Sequence, residues 1–140
     1  MMKIQVLHNR ECTFWQQAWQ MLEGLIKEKR LEAKLEEILI SSDEEATHYH
    51  FAGSPQVMID GRDIDPEAGR ITTFHASGCR PYFYKGGYYD YPPREMVEEA
   101  LQRITNDRLR AHEKIQYSRI TPPTFSGGLS QEETACGIPR

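Results

Sequence analysis

The sequence predicts an α/β domain with a mixed sheet flanked by helices. Two observations support this fold class. A short apolar strand at residues 4–7 leads to Cys12 and an amphipathic helix, and later Ser54-Pro55 leads into an apolar strand and a tight turn. The predicted order of elements is β-α-β-α-β-β, an insertion and a last helix. Because helical crossovers join the first three strands, parallel or mixed pairing is favoured.

The first half of the chain contains two strand-helix units. A strand is predicted at residues 3–7 and a helix from residue 13 to about residue 29. The apolar face of this helix recurs at helical spacing, in Trp15, Trp19, Leu22 and Ile26. A second strand is expected at residues 35–40. Ser42 and Glu45 fit a capping box, which predicts a second, short helix that ends before Gly53.

The second half begins with a hairpin and continues through an insertion. The third strand is predicted at residues 57–60, with Gly61-Arg62 as its two-residue turn and residues 63–65 as the fourth strand. In the insertion, a second hairpin is expected to turn at Gly86-Gly87. Pro92 and Pro93 introduce the last helix, which extends toward residue 115. Its apolar face consists of Val97, Ala100, Leu101 and Ile104.

Length and composition favour one soluble domain. The 140 residues carry a formal net charge of −4, and their composition gives no electrostatic reason to expect nucleic acid or an anionic membrane as partner. No apolar run approaches the ~20 residues that span a bilayer. The first eight residues turn polar too soon for a signal peptide, so a cytoplasmic location is expected. The predicted domain covers residues 1–117, and residues 118–140 read as a tail, poorly structured or packed on the domain.

Cys12 is the first candidate for chemistry. At a helix N-terminus its thiol faces free N–H groups and the positive end of the helix dipole, which favour the thiolate, and Arg10 adds positive charge. The alternative is a small residue at a loop-helix junction. Trp15 stands where C-x-x-C would have its second cysteine, so Cys12 forms no local disulfide.

Two further cysteines, Cys79 and Cys136, each have more than one possible role. Cys79, in the insertion, is a candidate resolving thiol for Cys12, or else an isolated thiol. Cys136 lies in the tail and is either a third thiol or without a role. An odd, small number of cysteines argues against a disulfide framework. The histidines lack the spacing of a metal site, so no metal and no cofactor are expected.

Three motifs together resemble the thioredoxin-like superfamily over residues 3–110. They are the strand followed by Cys12, the stretch from Gly53-Ser54-Pro55 to Gly61-Arg62-Asp63, and Cys79-Arg80-Pro81-Tyr82. The resemblance is to small bacterial members, and it implies a thioredoxin-like fold with an insertion before the last helix. It also implies a cis Pro55 lying against a reactive Cys12. The alternative for Pro55 is a simple strand-entry proline.

The sequence supports three hypotheses of function. The first is a thiol-disulfide redox protein with Cys12 and Cys79 as catalytic thiols, and with Ser54, Pro55, Trp15 and Arg10 contacting a protein or low-molecular-weight thiol. The second is a non-catalytic module that binds a protein, which includes another copy of the chain, through its tyrosine-rich insertion. The third is soft-metal binding by the two thiolates.

Overall fold

A four-stranded mixed sheet is at the centre of the fold. The computed structural model describes the backbone of residues 1–120 and the side chains of residues 1–114. The strands, in chain order, are β1 (Met2–His8), β2 (Ala33–Leu39), β3 (Gln56–Ile59) and β4 (Arg62–Asp63). In the sheet the strand order is β2-β1-β3-β4. This arrangement, with the helices given below, confirms the predicted α/β fold and its mixed sheet.

The register of the sheet follows from the connections between strands. The crossover from β1 to β2 makes that pair parallel, with Met2 opposite Ala33. In contrast, β3 runs antiparallel to β1, with Ile4 opposite Ile59, and β4 returns antiparallel to β3. Since β1 has neighbours on both sides, it is the interior strand that carries the chain to the Cys12 loop.

Helices flank this sheet, and a second, smaller sheet follows it in the chain. The described helices are α1 (Trp15–Lys29), α2 (Asp43–Tyr49) and α3 (Arg94–Ile120), with a 3₁₀ turn at Ala68–Arg70. The second sheet is the antiparallel hairpin of β5 (Tyr82–Tyr84) and β6 (Gly87–Tyr89). Within residues 1–120, no helix combines the length and the apolar character needed to cross a membrane.

The core uses both faces of the main sheet. On β1, Ile4 and Val6 point to one face and Leu7 to the other, because side chains alternate along a strand, and all three are buried. Leu7 packs with Ile40, Ala46 and Phe51 in one buried cluster on the side of α2. Ion pairs join the end of α1 to the first turns of α3: Lys29 with Glu98, and Glu28 with Arg94.

The buried face of α1 is confirmed at Leu22 and differs from the expected one at Trp15, Trp19 and Ile26, which are only partly buried. Ala18, Leu22 and Leu25 are the buried residues of this helix. The predicted residues Trp15 and Trp19 are only half-buried on the flank of that stripe, and their rings contact each other edge to face.

The capping box of α2 is confirmed in a modified form. Ser42 is the N-cap, and its hydroxyl accepts a hydrogen bond from the Glu45 N–H at 3.2 Å. The Glu45 carboxylate accepts in return from the N–H of Ser41, one residue before the cap, at 3.0 Å. Both interactions satisfy backbone donors that the helix leaves free.

Both predicted hairpins exist, but each turn lies one residue earlier than expected. Ile59 pairs with Arg62, so the first turn is Asp60-Gly61 instead of Gly61-Arg62. Tyr84 pairs with Gly87, so the second turn is Lys85-Gly86. All four turn residues have positive φ, which defines the type I′ turn that matches the twist of paired strands.

The chain divides into two units by its internal contacts, residues 1–103 and residues 104–140. The first unit holds both sheets and the first two helices. The second is described only as a helix as far as Ile120. The expected division into residues 1–117 and a tail stays a prediction, because residues 121–140, with Cys136, lie outside the described part.

Candidate functional site

Cys12 lies in the loop between β1 and α1, before the helix rather than in its first turn. The sequence predicts a helix from residue 13, but α1 begins at Trp15 with Phe14 as its N-cap. Phe14 offers no side-chain cap, so the start of the helix is set by packing and not by a local polar signal. Cys12 is 7% exposed, so its thiol lies at the edge of the buried core.

Asn9 organises this loop and connects it to two others. Its side-chain oxygen accepts a hydrogen bond from the Cys12 N–H at 3.0 Å. Its side-chain amide donates to the carbonyls of Ala76 at 3.0 Å and Gly78 at 2.9 Å. Its own N–H donates to the Ser54 hydroxyl at 3.3 Å. One buried residue, through its side chain and its backbone N–H, therefore connects the three segments that the motifs single out.

The Ser54–Pro55 peptide bond is cis, as the resemblance implies. Both residues are buried at the entry to β3. The Pro55 carbonyl accepts a hydrogen bond from the Tyr82 hydroxyl at 2.8 Å. Burial raises the pKa of Tyr82, so its phenol stays protonated and remains a donor.

Cys79 pairs with Ser54 in an isolated parallel β-bridge. The Ser54 N–H donates to the Gly78 carbonyl at 3.2 Å, and the Ser54 carbonyl accepts from the Arg80 N–H at 3.0 Å. The backbone of residues 78–80 can approach Ser54 this closely because residue 53 is a glycine. A Cβ there would lie 3.0 Å from atoms of both Cys79 and Arg80, and its φ of +146° disfavours other residues.

Arg80 holds the end of the segment of residues 78–80 in place through a buried ion pair. Its guanidinium is buried, pairs with both carboxylate oxygens of Asp63, reaches Asp65 at 3.5 Å, and lies 4.9 Å from the Tyr82 ring centre. Burial alone lowers the pKa of Arg80, but Tyr82 and the two carboxylates outweigh it, and the net direction is upward. The charge is therefore permanent and paired.

The two cysteines sit on adjoining loops with different exposure. Both are free thiols, with Cys12 buried and Cys79 exposed. Each is connected to Asn9, Cys12 through its own N–H and Cys79 through the carbonyl of its neighbour Gly78. This arrangement presents one sheltered and one accessible sulfur in the same part of the molecule.

Trp15 takes part in a stack beside this loop. Its ring lies parallel to that of His8, with centroids 4.1 Å apart. His8 is buried and its Nε2 lies 2.7 Å from a carboxylate oxygen of Glu37. The predicted contact of Trp15 with substrate stays a prediction, since the contact seen is with the protein itself.

Arg10 is exposed and borders a small open cleft next to the Cys12 loop. The cleft has a volume of about 240 Å³ and is lined by Asn9, Arg10, Glu11, Ile40, Ser41, Ala76 and Ser77. A larger cleft of about 500 Å³ lies near the start of β3 and includes none of the predicted site residues.

Among the described side chains, no three His, Cys, Asp or Glu converge on a metal position. Soft-metal binding by two thiolates stays a prediction.

Sequence reasoning missed Asn9 and the role of Tyr82. Asn9 precedes Cys12 by three residues, a spacing at which an asparagine side chain can bond a following backbone N–H. That local signal was available in the sequence. The bonds from Asn9 to Ser54 and Gly78 have no local signal, because they join residues 45 and 69 positions apart.

No protein-family model and no curated protein sequence matches this chain. The fold and the site therefore carry the functional argument alone. Within residues 1–114 they define an α/β fold with Cys12 and Cys79 as free thiols on loops that one buried asparagine joins beside a cis-proline.

Proposed function

We propose that this chain is a thioredoxin-like thiol-disulfide redox protein, with Cys12 as the attacking thiol and Cys79 as the resolving thiol. The mixed four-stranded sheet, the loop that carries Cys12 after β1, and the cis-proline at the start of β3 support this proposal. The motifs in the sequence point to the same class.

The hydrogen bonds of Asn9 are the observation that carries the proposal. They join the Cys12 loop, Ser54 and the segment before Cys79. A redox pair without C-x-x-C needs its second thiol from a distant part of the chain. Asn9 ties that distant part, residues 76–78, to the loop that holds Cys12.

The proposed reaction is two successive thiol-disulfide exchanges. The Cys12 thiolate attacks one sulfur of a disulfide, the bond between the two substrate sulfurs breaks, and one thiolate leaves and takes up a proton. Cys79 then loses its proton and attacks the Cys12 sulfur, which releases the second substrate thiolate. The substrate disulfide is reduced to two thiols, while Cys12 and Cys79 are oxidised to one internal disulfide.

The residues around the thiols have separate parts in this reaction. Pro55 has no N–H and is buried, and its proposed part is to set the course of the backbone at the entry to β3 beside the Cys12 loop. Tyr82 holds the Pro55 carbonyl, and Asn9 fixes the backbone at Cys12. Arg10 is exposed two residues before Cys12, and its positive charge would attract an anionic substrate.

Trapping of the mixed disulfide tests the proposal. Both proteins in this test carry Cys136→Ser. Oxidised glutathione should join Cys12 and Cys79 in a disulfide when both are present. When Cys79→Ser is added, glutathione should stay attached to Cys12. Mass spectrometry of peptides distinguishes the two products. The proposal is wrong if Cys12 reacts no faster than free cysteine or if the Cys79→Ser variant carries no adduct at Cys12.

A second candidate function is protein binding or self-association without catalysis. The hairpin β5–β6 favours it, because Phe83 and Tyr88 are 60% and 70% exposed and contact each other with ring centroids 3.8 Å apart. Exposed aromatic pairs of this kind are typical of interfaces. Sedimentation of wild type and a Phe83→Ser variant tests it. Association that weakens in the variant and is unchanged by Cys12→Ser supports the binding function.

A further inference from the structure

The backbone of Ser54 is already occupied by the chain itself. Its N–H donates to the Gly78 carbonyl and its carbonyl accepts from the Arg80 N–H, at 3.2 and 3.0 Å. A polypeptide substrate that binds by strand addition needs such backbone groups to be free. At this point of the site no free pair of backbone groups is left for an incoming chain.

The occupying segment, residues 76–80, is fixed at several points. The Ala76 N–H donates to the Asp43 carboxylate at 2.9 Å, and Asn9 donates to the carbonyls of Ala76 and Gly78. Arg80 is held by its buried ion pair with Asp63. An incoming polypeptide would have to break several of these interactions together.

A small cleft of about 240 Å³ borders the Cys12 loop, and Cys12 itself is not among its lining residues. Arg10 and Glu11 supply one charge of each sign, and Ser41 and Ser77 supply hydroxyls. The 7% exposure of Cys12 also admits a small reagent more readily than a folded protein.

We propose, on the basis of the function proposed above, that the disulfide attacked by Cys12 is a low-molecular-weight one that carries charged groups. Segment 76–80 excludes extended polypeptides from Ser54 and at the same time presents Cys79 to the site. The resolving thiol thus takes the position that a substrate chain would occupy.

Rates with two disulfides test this substrate class. Oxidised glutathione is the small probe and insulin the polypeptide probe, and each rate is divided by the rate of the same disulfide with free cysteine. Displacing two backbone hydrogen bonds should slow the reaction of a polypeptide disulfide roughly 30-fold. We therefore expect the normalised rate with glutathione to exceed that with insulin by about this factor. An Asn9→Ala variant, with a loosened segment, should show a smaller preference.

The outcomes separate the two proposals. Equal normalised rates with both probes in wild type overturn the substrate class and leave the redox function standing. Lack of reaction with either probe overturns both. Hydrogen exchange of wild type provides a test that does not depend on the stability of the variant. Protected amides at Ser54 and Arg80 support the occupied backbone, and exchange as fast as in an unfolded chain overturns it.

Discussion

Asn9 shows at the scale of one residue how a short amide can define a site. It uses an acceptor for Cys12 and two donors for Ala76 and Gly78 in one buried position. Aspartate has no donor for the two carbonyls, and glutamine is one methylene longer than the loop geometry fits. The residue type therefore follows from the number and direction of the hydrogen bonds that the Cys12 loop and residues 76–78 require.

Tyr82 gives a test of stability against pH. We expect Tyr82→Phe to lower the free energy of unfolding by about 2 kcal/mol near neutral pH, because the Pro55 carbonyl loses its donor. Burial raises the pKa of Tyr82 above the value of about 10 for an unfolded tyrosine. Its contribution is therefore complete below pH 10 and falls as the pH rises above 10 toward the folded pKa.

Urea unfolding of wild type and Tyr82→Phe at about pH 8 and about pH 11 measures this effect. The difference between the two proteins should narrow at the higher pH, since only wild type carries this buried phenol. Tyr88→Phe is the matched control, because Tyr88 is exposed and should change stability little. A difference that grows with pH would contradict the assignment.

At the scale of elements, the sequence predicts which hairpins form better than where they turn. The glycines at 61 and 86 signalled both turns correctly. The one-residue shift arises because Asp60 and Lys85 adopt positive φ, which costs energy for residues other than glycine. Asp60-Gly61 is itself a preferred type I′ pair, so the sequence contained the signal for this turn, whereas Lys85-Gly86 carries no such signal.

The same substitution at two glycines should have opposite effects. Gly53→Ala forces a Cβ to within 3.0 Å of the Cys79–Arg80 backbone at a positive φ, so we expect a loss of about 3 kcal/mol in unfolding free energy. Gly24→Ala, in α1, meets no atom within 4 Å and should add up to about 1 kcal/mol by helix propensity. Thermal and urea unfolding measure both changes.

Gly24→Ala also controls for the extra methyl group itself. If Gly53→Ala leaves stability and the protection of the Arg80 amide unchanged, then the close approach of residues 78–80 to Gly53 does not exist in solution. If both variants are destabilised alike, the cause is not the contact at Gly53.

At the scale of the whole molecule, the main sheet ends at a long edge strand. β2 lies at one end of the strand order, and no described strand pairs with its outer side. Its seven residues include Lys34, whose exposed ammonium lies 3.1 Å from the Glu36 carboxylate. Charged side chains on an edge strand prevent edge-to-edge pairing between copies.

Lys34→Val should therefore make the protein associate at lower concentration. The substitution removes a charge and adds a β-branched side chain on the free edge. Lys27→Val, on the exposed side of α1, makes the same chemical change away from any strand and is the control. Light scattering against concentration measures association. Equal association of the two variants would show that the edge of β2 does not matter.

The sequence predicts the site only in part, because the residues that form it lie far apart along the chain. Cys12, Ser54-Pro55 and Cys79 are visible as motifs, and the structure brings their loops together. The buried stripe of α1 and the three long-range bonds of Asn9 were not predicted, because they depend on how separate elements pack. Local patterns encode helices, caps and turns, whereas these contacts exist only in the assembled fold.

The partners of Asn9 become available in the order of synthesis. Cys12 leaves the ribosome before residues 54 and 78, so its loop first exists without the hydrogen bonds that tie it to them in the completed fold. Until about residue 80 has emerged, the nascent chain carries an unprotected thiol next to an unfinished sheet. The sheltered thiol is consequently a property of the completed fold, and a chain interrupted before Arg80 exposes Cys12 to any oxidant present.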